Sequence, residues 1–347
     1  MRKSGWITML MLTAGLLLLP GCLDLYFTTE VNPDGSLDKT VVFKGDSSEI
    51  IGNSVFSLLN SDWDTTWIPV DDKKMKFVAT RHFKNPKLLN KWSDPQDSAK
   101  IQIRSHVVLK KQFRWFYTYF KYQETLPASN PFQLIDWKDY LTPVEIRLIA
   151  EDDEARKKDS AYVKEAYDQT EKRFETFLEK SIYEEFFTIL LAAPGLPSTG
   201  ITAGELQQKK SEIFQYLKDN SDGDRAKDLL KTLSEFMKHP ELAALADDSA
   251  SSFKIFNHKM DFFQDVSDDN YHFIIRLPGQ MLDTNSTQME GSDIKWDVGY
   301  YDFFFKDLVM QAESRVVNTW AFIVAGIILL LAVISLITSF IIKKARK

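Results

Sequence analysis

Few of the 347 residues could do covalent chemistry. Cys22 is the sole thiol, which excludes an internal disulfide and a cysteine-built metal centre. The histidines, His82, His106, His239, His258 and His272, are far apart and none opens an HExxH motif, so no zinc hydrolase is expected. GxSxG, GxGxxG and P-loop patterns are missing. Carboxylates remain. Asp265, Asp268 and Asp269 form an acidic cluster, readable as a cation site or, more simply, as a solvated turn before a strand. Asn32, Asp34 and Asp38 lack the closing glutamate and spacing of an EF-hand. Around Asp222-Gly223-Asp224, Lys231 stands where that glutamate belongs if Asn220 is position one. Acids paired from distant segments would be the one route to a hydrolase.

The two ends carry membrane signals. Arg2 and Lys3 precede an uncharged apolar run from Ile7 to Leu19, too short for a comfortable span. The run ends in Leu19-Pro20-Gly21-Cys22, which looks like a lipobox whose cysteine takes a diacylglycerol; Pro20 departs from the usual small residue. The alternative is an uncleaved signal anchor followed by a plain thiol. At the other end, residues 321–342 carry no charge, and 22 residues span about 33 Å as a helix, enough for a hydrocarbon core. Asn318 and Trp320 mark one boundary, and Lys343, Lys344, Arg346 and Lys347 the other, so the positive-inside rule makes the tail cytoplasmic. Everything between is then extracytoplasmic, tied to one bilayer at both ends. A net charge of −6 argues against nucleic acid as a partner.

The elements between these anchors change character twice. Two β-rich runs flank Asn32-Pro33-Asp34-Gly35-Ser36, which predicts a hairpin. Residues 44–72 read as polar and irregular, and 75–83 as a strand. Residues 101–122 are the strongest β segment, with a bend at Lys110-Lys111-Gln112 or one bulged strand. After a Pro-rich linker, Thr142-Pro143-Val144-Glu145 is a capping box. Val163, Tyr167, Thr170, Phe174, Phe177, Leu178, Ile182, Phe186 and Leu190 then form a helical stripe. Thr202-Ala203-Gly204-Glu205 opens another helix to about Leu217, Asp222 begins one through Met237, and Pro240 a short last one. Strands are expected again at 253–263, 271–277, 293–298 and 303–312. In the last, Phe303 and Phe305 would face the core and Phe304 the opposite side, near a helix or the bilayer. Asp97-Ser98-Ala99, Asp159-Ser160-Ala161 and Asp248-Ser249-Ala250 repeat a triplet similar to the O-glycosylation site of some bacterial envelope proteins, although so short a motif recurs by chance.

Cys22, the hairpin with its Asn32-Pro33-Asp34-Gly35-Ser36 turn, Leu277-Pro278-Gly279, Asn285, Gly291, the strand carrying Trp296 and a C-terminal span together resemble the LppM-like lipoprotein domain. The resemblance covers about 90 residues plus the helix, and leaves out the helical block and residues 44–142. It implies an envelope protein without known catalysis, some of whose relatives are associated with lipid binding, and it carries over no catalytic residue.

The expectation is therefore an α+β chain. Its parts are a lipoprotein signal at 1–21, a β-rich ectodomain at 22–142 and 251–318, a helical insertion at 143–250, a transmembrane helix at 319–342 and a basic tail at 343–347. The expected function is non-enzymatic: an envelope protein acylated at Cys22 that binds a partner protein or an apolar or lipid ligand, with no cofactor and no metal. An extracytoplasmic hydrolase with a carboxylate site is the alternative.

Overall fold

The computed structural model describes residues 23–345 except 54–55, 57–58, 60, 72–73, 94–102, 151–160, 247–252 and 268. The chain is α+β, with a seven-stranded sheet ordered β3-β4-β2-β1-β7-β10-β9 and a four-stranded sheet ordered β5-β6-β11-β8. Strands β1 (Asp24–Val31) and β2 (Leu37–Asp46) form the expected hairpin, and Gly35 takes the positive φ of 98° that its turn requires. β2 pairs with β4 (Lys74–Phe83), which carries β3 (Asp64–Pro69) at the sheet edge. On the other side β1 runs parallel to β7 (Asn270–Arg276), followed by β10 (Asp293–Val298) and β9 (Gln288–Glu290). A parallel pair needs a long crossover, and here it contains the whole helical block.

That block follows its capping signals. Helix α3 (Pro143–Ala150) opens with Glu145 accepting from the Thr142 backbone N–H at 2.8 Å. The long α4 (Ala161–Ala192) buries Phe174, Phe177, Leu178, Phe186 and Leu190, members of its predicted stripe. Then come α5 (Ala203–Gln208), α6 (Lys210–Asn220), α7 (Ala226–Met237) and α8 (Glu241–Ala244). The single helix expected up to Leu217 is two, α5 and α6, meeting at the non-helical Lys209.

Several local expectations change. Residues 44–72 hold α1 (Ser47–Gly52), capped by Asp46, and β3, whose fully exposed edge position hides its period. A second short helix, α2 (Pro86–Ser93), precedes β5. Residues 253–263 are not a strand but most of α9 (Phe253–Ser267): Phe253, Phe256, Met260 and Phe263 are buried at steps of three and four. The bend expected at Lys110-Lys111-Gln112 falls instead at Trp115-Phe116, between β5 (His106–Arg114) and β6 (Tyr117–Leu126). Phe303, Phe304 and Phe305 do not alternate across a strand. They follow a 3-10 turn at Tyr300–Asp302 and all three are buried; β11 begins at Leu308 and runs to Val317.

Contacts at three levels set how the two sheets align. A Cβ built on Gly35 would lie 3.9 Å from Lys111 Cδ. Lys39 meets Glu124 at 3.4 Å. The Ser129 and Asn130 amides donate to the carbonyls of Phe303 and Phe304, and Tyr271 packs edge-on against Phe303. Moving up β6 therefore means moving from Gly35 past Lys39 towards the start of β1. One pole carries the β5–β6 tip. The other carries Leu23, the start of β7 and the aromatic residues just before β11. Ten residues of β6 at 3.3 Å each put these poles about 33 Å apart.

The pole beside the C-terminal helix as a candidate site

β11 passes directly into α10 (Thr319–Ala345), of which Thr319–Ile342 is long and apolar enough to cross a membrane. The one residue between them is Asn318. Its backbone N–H donates to the Phe116 carbonyl at 2.9 Å, and its side-chain amide donates to the carbonyls of Arg114 (3.0 Å) and Trp115 (3.2 Å). Its side-chain oxygen accepts from Thr118 Oγ1 at 2.9 Å. Aromatic contacts surround this clamp. Phe113 stacks on Trp320 (6.2 Å), Trp115 meets Trp320 edge-on (5.3 Å), and Phe116 and Tyr117 both touch Phe322 (4.6 and 6.2 Å). Phe113, Trp115, Phe116 and Trp320 nevertheless stay 59%, 47%, 38% and 50% exposed. Arg315 lies over the Tyr117 ring and Arg114 over Tyr119, each within cation–π reach.

Asn318→Ala should cost about 1–3 kcal/mol, because it leaves two carbonyls and a hydroxyl of the tip without partners. Urea unfolding of the detergent-solubilised chain, with amide exchange at 114–118, measures this. An unchanged midpoint and unchanged exchange would show that Asn318 holds nothing.

The expected polar candidates are engaged elsewhere. Asp269 is buried and accepts from Asn53 Nδ2 at 2.9 Å; Asp265 sits within α9, and Asp268 lies outside the described residues. Asp34 Oδ1 accepts from the Ser36 amide and hydroxyl, and Asp38 takes Asn32 (2.6 Å) and His82 (2.7 Å), so the first turn is closed on itself. Asp224 accepts from Gln264 at 2.7 Å, and burial raises its carboxyl pKa. His272 pairs with Asp297, and His239 faces the Thr199 carbonyl. Among the described residues no three such side chains gather as metal ligands. Cys22 and the serines of the Asp-Ser-Ala triplets lie outside the described residues. Leu23, however, is buried, and its carbonyl accepts from Asn270 N–H at 3.0 Å. Leu23 therefore lies at the pole away from α10.

Two hollows among the described residues bear on the site. A polar cleft of about 380 Å³ lies on the outer face of the smaller sheet, with Lys121 paired to Glu313 at 2.9 Å and Asp283 opposite Glu313 across the β8–β11 ladder. β8 (Gln280–Thr284) is not legible in the sequence, although the Leu277-Pro278-Gly279 turn that launches it is. Gly279 has φ +83°, and a Cβ there would lie 2.2 Å from the Arg315 carbonyl oxygen. The second hollow, about 110 Å³ between α3, α4 and Tyr301, is apolar but far below the volume of a usual ligand pocket.

No family model matches the chain. No curated protein matches it. The NMR structure of the folded domain of Mycobacterium tuberculosis LppM aligns with 87% of this chain and 95% of that one, at 9% identity and a TM-score of 0.28. This is a weak and distant likeness.

Proposed function

We propose that this is a non-enzymatic protein of the cell envelope, spanning the cytoplasmic membrane through α10 and presenting its ectodomain outside the cytoplasm to a partner protein or a lipid. One observation carries the reading. The apolar helix is an extension of β11, clamped to the neighbouring hairpin by Asn318, so the ectodomain stands on the membrane in a defined attitude. A substrate-capturing enzyme on a flexible stalk has no need of such a joint. The 110 Å³ apolar hollow is too small for an acyl chain. The alternative, a hydrolase, has one observation in its favour, the Asp283–Glu313 juxtaposition in the larger cleft. Lys121 already neutralises Glu313 there.

Cys22→Ala should abolish fatty-acid labelling yet leave the protein in the membrane fraction, since α10 alone suffices to hold it. Release of that variant on alkaline washing would refute the span, and labelling that persists would refute acylation of Cys22. Crosslinking in intact cells, followed by identification of bound proteins and lipids, tests the binding role; failure to capture either overturns it.

A further inference from the structure

The geometry points to the β5–β6 tip as a second membrane contact, seated in the lipid headgroup layer beside α10. The inference rests on the reading that α10 crosses the bilayer, and it adds a part of the chain remote in sequence. Height is the first argument. Residues 321–342 cover about 33 Å, little more than the ~30 Å hydrocarbon core, so the core begins within the first turn of α10. Trp320 and Phe322 belong to that turn, and Trp115 and Phe116 touch them. The tip therefore reaches the same depth.

Satisfaction of the backbone is the second argument. The carbonyls of Arg114, Trp115 and Phe116 are all taken by Asn318. A turn that must remain in water can leave its carbonyls to water. One placed against lipid cannot, because an unpaired peptide group there is costly.

Composition is the third. A two-residue hairpin loop in water favours Asn-Gly or Asp-Gly, whereas this one is Trp-Phe, flanked by the exposed Phe113. From Val107 to Gln123 there is no acidic residue, while Lys110, Lys111, Arg114 and Lys121 are basic. Indoles, tyrosines and snorkelling basic side chains are the residues that settle at a membrane interface.

The test uses the full chain with Cys22→Ala, reconstituted in vesicles of phosphatidylcholine and phosphatidylglycerol. Single nitroxide labels replace Phe116, Lys121 or Leu330, and collisions with oxygen are compared with those of a water-soluble nickel chelate. The label at 116 should show a several-fold higher oxygen-to-nickel ratio than the label at 121, with 330 deeper still. A water-like ratio at 116 with a deep 330 overturns the tip contact and leaves the span intact. A label at 116 shielded from both reagents means that a protein, such as a second copy, covers the tip, and this also overturns it. A water-exposed 330 removes the span itself. A second readout avoids cysteine variants: Trp115→Phe in the otherwise unaltered chain should lose part of the tryptophan quenching by brominated lipid, and unchanged quenching counts against the contact.

Discussion

Lys39→Met is expected to destabilise the two-sheet fold by about 3–5 kcal/mol, the cost of leaving one partner of a buried ion pair alone. Lys39 and Glu124 are almost wholly buried, on facing strands of the two sheets. Lys39 Nζ also donates to Thr29 at 2.8 Å, and Tyr122 donates to the other Glu124 oxygen at 2.8 Å. Burial, reinforced by the adjacent Glu124 charge, pushes the Tyr122 hydroxyl well above its ordinary pKa, so it remains a donor at any physiological pH. Removing the ammonium leaves a carboxylate between two sheets with one hydroxyl for company. Lys39→Met combined with Glu124→Leu and Tyr122→Phe should recover most of the loss, because an apolar substitute of similar volume is about as good as a buried pair. Urea unfolding of the single and triple variants beside the parent chain decides. If Lys39→Met alone is neutral, the two sheets do not meet at this pair.

Phe304→Ala should cost a comparable ~3–5 kcal/mol. Its ring contacts Phe174 of α4, Phe263 of α9, and Tyr300, Tyr301 and Phe305 of its own segment, at centroid distances of 4.6 to 6.1 Å. It thus joins α4 of the inserted block, and α9 that follows the block, to the chain that leads into β11. The loss should appear as one transition with a lowered midpoint, followed in parallel by helical dichroism and aromatic fluorescence. Two separated transitions would mean that the block unfolds independently and that the aromatic node does not couple it to the sheets.

Local patterns are legible in the sequence, and long-range pairings are not. The first hairpin can be read because Pro, Asp and Gly mark its turn. The Trp115-Phe116 turn contains none of the usual turn residues, and the polar Lys110-Lys111-Gln112 run draws attention away from it. The 32-residue α4 announces itself through a long stripe, whereas α9, bounded by polar residues and rich in Phe, imitates an irregular strand. The apolar span is plain from composition alone. Asn318 reads only as an interface residue, since its partners lie about 200 positions away and no local rule couples them. The Lys39–Glu124 pair is hidden for the same reason: each looks like a solvent-facing charge until the sheets are stacked.

The direct passage from β11 into α10 has a mechanical consequence. A pull on the helix enters the smaller sheet at Val317 and runs along the strand. β11 is held by β6 through ten consecutive residue pairs, from Leu308↔Leu126 to Val317↔Tyr117. Loaded lengthwise, these pairs resist in shear and share the force, so no single end pair can yield first as in a zipper. The strand and the aromatic node at its far end then act as one tension member about 33 Å long, continuous with the helix.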